Sequence, residues 1–193
     1  MATTEEIKAL RDETGVSVMQ CKKALEEAGG DMEKAKIILR KASAAIAAKK
    51  GDRELGAGTA AAYVHAGGSV IGAVVLASET DFVSKNKEFE KLAYDIAMHV
   101  AAMDPKWKSR DEVKDEDVRA AREVFEGEVA NLPEASREKA LTGKLDSFVK
   151  EKVLLDQPFV KDGSVTVQQL IDSAVQKFGE KIEVVKFVRL SVK

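Results

Sequence analysis

A nearly unbroken apolar run, Val70 to Ala77 (VIGAVVLA), follows a second β-type run, Thr59 to His65, across the loop Ala66-Gly67-Gly68-Ser69. Two such runs around a glycine-containing loop predict a hairpin over 59–77. The second run lacks polar alternation, so it is expected at the centre of its sheet with both faces covered. A further strand is predicted over 182–192. There Ile182, Val184, Val188, Leu190 and Val192 share one parity, which Lys186 interrupts. The other parity mixes Val185 and Phe187 with Glu183, Arg189 and Ser191. One face of this strand is therefore expected to be buried and the other only partly so.

The rest of the chain reads as helical. Thr3 or Thr4 caps a first helix, with Glu5 and Glu6 in its first turn and Thr14-Gly15 at its end. Ser17 caps a second, which holds Met19, Cys21, Ala24, Leu25 and Ala28 and stops at Gly29-Gly30. Asp31 caps a third, in which Ala35, Ile38, Leu39 and Ala42 recur at helical spacing. Together they predict a three-helix bundle over 1–51, marginal in size by itself. Gly51 to Gly58 (GDRELGAG), rich in glycine and charge, marks the boundary to a second unit over 52–193.

In that second unit Phe89, Leu92, Ala93, Ile96, Ala97 and Val100 predict an amphipathic helix over 86–103, capped by Asn86 and ended by Asp104-Pro105. Val118, Ala121, Phe125, Val129 and Leu132 mark a helix over 115–131. Pro133 opens another over 133–152, which carries Leu141, Leu145 and Phe148. Their short connection implies antiparallel neighbours. Leu154 to Val160 reads as irregular, and Thr166 or Ser164 caps a last helix that ends near Gly179. The predicted class is α+β: a helical bundle, then a three-stranded antiparallel sheet packed with helices.

Composition narrows what such a protein does. Hydrophobic residues are 45% of 193 and charged residues 33%, ordinary values for a chain that builds a core. Aromatics are only 5%, so that core rests on Ala, Val, Leu and Ile. A net charge of −2 argues against bulk electrostatic binding to nucleic acid, which needs many Lys/Arg–phosphate contacts. Cys21 is the only cysteine, which excludes an internal disulfide and suits a reducing compartment. Neither a basic-then-apolar leader nor a bilayer-length apolar run is present, so a cytoplasmic protein with no membrane partner is expected.

The candidate chemistry is sparse. Cys21 lies among apolar residues and reads as a small core residue. His99 lies at the edge of an apolar helix face with no second ligand at metal spacing, and reads as packed. Lys34, Lys36, Arg40, Lys41, Lys49 and Lys50 make the third helix basic, which reads first as a solvated face and second as a docking surface. In GDRELGAG, Ala57 occupies the position where a phosphate loop needs lysine. No nucleophile–base pair and no Cys/His metal spacing occurs, so neither bond-making catalysis nor a cofactor is expected. The remaining stretch is Glu79-Thr80-Asp81-Phe82-Val83, on a short turn between an apolar strand and a helix. A Phe there folds back into the core or stands out toward another molecule. Composition and periodicity alone favour the core.

Several separated blocks resemble the bacterial elongation factor Ts family. They are Leu10-Arg11-Asp12-Glu13-Thr14-Gly15, Cys21 to Ala28 and Gly30-Asp31 with Leu39-Arg40 in the bundle, then Glu79 to Val83, Asp95 to Ala102, Gln157 to Asp162, and Phe187-Val188-Arg189. The resemblance implies a ubiquitin-associated-like fold for residues 1–51. It implies one core subdomain, as in short members that work as homodimers. It also implies nucleotide exchange on elongation factor Tu, with loss of GDP and Mg²⁺ from that partner. Thr80, Asp81, Phe82 and Val83 would form the exchange motif, with Phe82 as a wedge in the partner's G domain. Arg11, Val18, Met19 and Lys22 would grip another part of that domain. Two departures stand out. Val75-Leu76-Ala77 replaces the Glu-Val-Asn usual in the family, so the polar support of the turn is expected to differ. Ser17-Val18-Met19-Gln20 replaces Gly-Met-Met-Asp, so one methionine contact becomes Val18. The competing reading is an adaptor that holds a ubiquitin-like protein or nascent chain through its bundle. Such an adaptor has no use for the Asp81-Phe82 turn.

Overall fold

The computed structural model describes residues 2–192. In chain order the helices α1 (Thr4–Thr14), α2 (Val18–Glu27) and α3 (Met32–Ala48) precede the hairpin β1 (Ala57–His65) and β2 (Val70–Ser78). Then come a short helix α4 (Asp81–Ser84), α5 (Lys87–Met103), α6 (Asp115–Val129) and α7 (Glu134–Lys152). The strands β3 (Pro158–Phe159) and β4 (Asp162–Thr166), the helix α8 (Val167–Phe178) and the strand β5 (Ile182–Ser191) complete the chain.

The first three helices start where short polar side chains satisfy orphan backbone N–H groups. Thr3 forms a capping box with Glu6, Ser17 caps Gln20 and Asp31 caps Lys34. Leu10, Val16, Cys21, Ala24, Leu25, Ala35 and Leu39 close into their own core, and burial raises the Cys21 thiol above its ordinary pKa. The second half of α3 leaves this bundle and packs along α8, so Ile46 and Ala47 join the larger core.

Lys34 and Lys41 of α3 and Lys49 at its C-cap are exposed, as a solvated face implies, while other basic side chains of this stretch find partners within the molecule. The Arg40 guanidinium donates to the carbonyl (3.1 Å) and hydroxyl (3.3 Å) oxygens of Ser164, and Lys50 Nζ to the Gly179 carbonyl (2.7 Å). Lys36 pairs with Glu13 at 2.6 Å and Glu33 at 2.9 Å. Arg40 and Lys50 thus tie the bundle to the rest of the molecule, while Lys36 pairs within the bundle.

The sheet is antiparallel with order β1-β2-β5, so the apolar β2 is central as its pattern predicts. Only one face is covered, however, by α5 with Phe89, Ala93, Ile96, Ala97 and Val100. The opposite face leaves Val64, Val75, Val188 and Leu190 exposed around the small side chains of Ala60 and Ala62. The inferred parity of β5 also fails. Leu76 pairs with Val184 but Val75 pairs with Lys186, so Val185 is an extra residue in a bulge. A one-residue insertion reverses which side chains face inward. Ile182 and Val184 are buried before it and Phe187 is turned inward after it, while Val188 and Leu190 turn out. Lys186 is therefore no interruption of a buried face, because it lies on the open one.

Helices α6 and α7 form the expected antiparallel pair, joined by edge-on contacts of Phe125 with Phe148 (6.1 Å) and of Phe148 with the buried Trp107 (6.4 Å). The 154–160 stretch is more ordered than its irregular pattern suggests. Gln157 is buried and its Nε2 donates to the carbonyls of Glu151 (2.6 Å) and Met103 (3.3 Å). Its Oε1 lies 2.8 Å from His99 Nε2. The Val160 N–H donates to His99 Nδ1 at 3.1 Å, so the ring proton belongs on Nε2, aimed at Gln157. His99 is a packed, neutral histidine, its pKa pushed down by burial.

Candidate functional site: a clasped aromatic helix

The motif does not form a bare turn. Asp81–Ser84 is one turn of α-helix, entered from extended Thr80. Phe82 is 85% exposed, whereas its neighbour Val83 is only 4% exposed. On a helix, adjacent residues diverge by about 100°, so one residue faces outward while the next is committed to the core. This corrects the grouping of Val83 with the contact residues, because its side chain packs inside. Ser84 is also buried, and its carbonyl accepts from the Thr59 hydroxyl at 2.6 Å. Asp81 remains exposed beside Phe82, paired with Lys85 at 2.7 Å, and that ammonium holds its carboxyl below the ordinary pKa.

The approach to this helix is held from the far end of the sequence. Ser78 at the end of β2 pairs with Ile182 at the start of β5, which brings 79–80 beside 180–181. Glu180 then accepts from the Thr80 N–H (3.0 Å) and the Thr80 hydroxyl (2.6 Å). Glu79 reciprocates by accepting from the Lys181 N–H at 2.5 Å. The Glu79 carboxylate also takes Arg53 on both oxygens at 3.1 Å. These donors, the Lys181 N–H first, hold Glu79 below its ordinary pKa. The polar support of this turn thus comes from groups distant in the chain. Glu180, Lys181 and Arg53 carry no local signal, since their relation to the motif exists only after β2 and β5 pair.

The second predicted patch lies on the bundle. Met19 is 75% and Val18 51% exposed on the first turn of α2. Lys22, one turn beyond Val18, and Arg11, in the last turn of α1, are exposed as well. Lys177 of α8 lies against Gly15 and donates to Glu88 in the first turn of α5 at 2.8 Å. Among the described residues no group of three or more His, Cys, Asp or Glu is placed to hold a metal ion. Among the described residues no helix is long and apolar enough to cross a membrane.

The site thus presents an exposed aromatic, Phe82, on a short helix, and a second exposed apolar patch, Val18 and Met19, lies on the bundle. The chain belongs to the elongation factor Ts family, proteins of translation elongation. The family model described as Elongation factor TS matches residues 46–193. The chain is 46% identical over 191 residues to elongation factor Ts of Acetivibrio thermocellus, covering 98% of this chain and 89% of that protein. It is 44% identical over 194 residues to that of Thermosipho melanesiensis, covering 100% and 99%. With the factor of Fervidobacterium nodosum the identity is 42% over 188 residues, covering 96% and 95%. These alignments take in the N-terminal bundle, which lies largely outside the family-model match.

Proposed function

We propose that this chain is a guanine-nucleotide exchange factor for elongation factor Tu, acting in the cytoplasm without a cofactor or covalent chemistry of its own. Phe82 enters the partner's G domain beside its nucleotide and Mg²⁺, with Thr80 and Asp81 flanking it. Arg11, Val18, Met19 and Lys22 grip a second part of that domain. The supporting observation is the exposure of Phe82 beside a buried Val83. A large aromatic left in water loses about 2 kcal/mol or more that burial would supply, so a fold that holds it out rigidly keeps it for a partner. The mechanism is linkage. A factor that weakens GDP binding to its partner is itself weakened by GDP to the same degree, so entering GTP displaces it. Nucleotide exchange is accelerated in both directions, and the equilibrium between the nucleotide forms is unchanged.

The same reading includes a homodimer. The outer sheet face, with Val64, Val75, Val188 and Leu190 in water, is an apolar surface of the kind that a second sheet covers. The experiment for the exchange function follows release of a fluorescent GDP from elongation factor Tu. Catalytic amounts of this protein should raise the release rate well above the spontaneous one. An unchanged rate refutes the reading.

A further inference from the structure

We infer that Glu180 is a positioning residue for exchange, clamping the entry to α4 so that Phe82 is presented in one orientation. The inference rests on the exchange reading and deepens it.

Helix α4 has four residues, too few to hold its own direction. At its N-cap, Thr80 makes no side-chain capping bond to the helix. Its hydroxyl proton goes instead to Glu180 Oε1 and its backbone N–H to Glu180 Oε2, so both carboxylate oxygens are committed to one residue. The Ser78 hydroxyl donates to the Thr80 carbonyl at 2.9 Å, which leaves Thr80 held on every polar group. Glu180 is itself fixed. It follows Gly179, whose φ of +74° closes α8, and precedes Lys181, whose N–H is held by Glu79. The two glutamates form a crossed pair, each accepting from the backbone next to the other. They have different second partners. Glu79 is balanced by Arg53, whereas Glu180 spends its other oxygen on Thr80, two residues before Phe82. A wedge that must displace groups in a partner loses effect if its support yields, because the reaction of the partner is then taken up as motion of the wedge. Charge-assisted bonds to a backbone N–H and a hydroxyl are the stiffer kind for this purpose.

The test compares wild type, E180A, E180Q, F82A and the F82A/E180A double variant in fluorescent GDP release from elongation factor Tu, over a range of factor concentrations. If wild type does not accelerate release, the exchange reading itself fails. If it does, E180A should lower the saturating rate roughly tenfold while its half-saturating concentration and thermal midpoint stay near wild type. E180Q, which keeps the shape and one acceptor, should recover part of the rate. In the F82A background E180A should have no further effect, because it acts through Phe82. Hydrogen exchange at the Thr80 amide should quicken in E180A. Equal saturating rates for E180A and wild type overturn the proposal, as does an undiminished E180A effect in the F82A background. Should E180A unfold, E180Q decides alone: a severalfold lower saturating rate at an unchanged thermal midpoint supports the proposal, and a wild-type rate overturns it.

Discussion

Gly72 of β2 and Ala101 of α5 touch backbone to backbone. A Cβ at Gly72 would stand 2.6 Å from the Ala101 nitrogen, and closer still to the Ala97 carbonyl oxygen. Helix α5 therefore lies on the sheet at a height set by the missing side chain. Both obstructing groups belong to helix backbone, so neither moves aside as a flexible side chain would. Gly72→Ala should destabilise the fold by about 3 kcal/mol or more. A lower urea midpoint with an unchanged slope checks this. A midpoint equal to wild type would mean that α5 shifts freely on the sheet.

Phe82→Ala should leave stability nearly unchanged, because the ring is 85% exposed and gives the core almost nothing. Its saturating rate of GDP release should fall roughly tenfold or more, as expected when a central aromatic anchor is truncated. The pair of measurements separates a wedge from a core residue. A large drop in thermal midpoint would assign Phe82 to packing after all.

Leu190 faces out of the sheet beside Val188. If the open face pairs with a second copy, Leu190→Glu places a charge in an apolar interface of that dimer and should shift the protein to monomer in sedimentation experiments. The monomer's fold should persist, since the position is already exposed. Unaltered dimer in this variant would move the interface elsewhere on the molecule.

His99 is neutral in the fold, and burial holds its pKa below the ordinary value of about 6.5. The unfolded chain takes up that proton first as pH falls. The contribution of neutral His99 is thus complete above about pH 6.5 and is lost as pH drops toward the native value. Thermal midpoints between about pH 7.5 and about pH 5.5 should decline with acidification. A flat profile over that window would contradict the buried, Gln157-bound ring.

Asp172 carries the opposite sign. It is buried on α8, and burial raises its pKa despite the bond from Gln168 Nε2 at 2.7 Å. The fold binds this proton more tightly than the unfolded chain does, so the ionised carboxylate opposes folding at neutral pH. Asp172→Asn should be more stable than wild type at pH 7, with the difference shrinking toward about pH 4, where the unfolded-state carboxyl gains its proton. Equal stability across that range would indicate that the carboxylate stays well solvated.

Local pattern carried much of this fold. Thr3, Ser17, Asp31 and Asn86 accept the capping bonds that their positions suggest. Gly179 closes α8 in the left-handed conformation that glycine adopts without strain. The hairpin and the β1-β2-β5 sheet follow from short apolar runs and the Gly67-Gly68 loop. These features were legible because caps, turns and helical periodicity are decided within a few residues. The site was legible only in part. Phe82 was marked by its motif, but pattern alone inclined it toward the core, since nothing local says whether a turn residue finds a pocket.

What the sequence determined by itself is the set of elements, their caps and the family motif, all of which depend on neighbours along the chain. The tertiary structure alone decided the rest. It placed the Val185 bulge that turns Val188 and Leu190 outward, left one face of β2 uncovered and bonded Arg40 of α3 and Lys50 just beyond it to Ser164 and Gly179. It also set Glu180 against Thr80, 100 residues away in the chain. The physical reason is the same in each case. Burial and hydrogen-bond pairing depend on which surfaces meet, and a bulge or a crossed pair of glutamates exists only once distant strands have chosen their register.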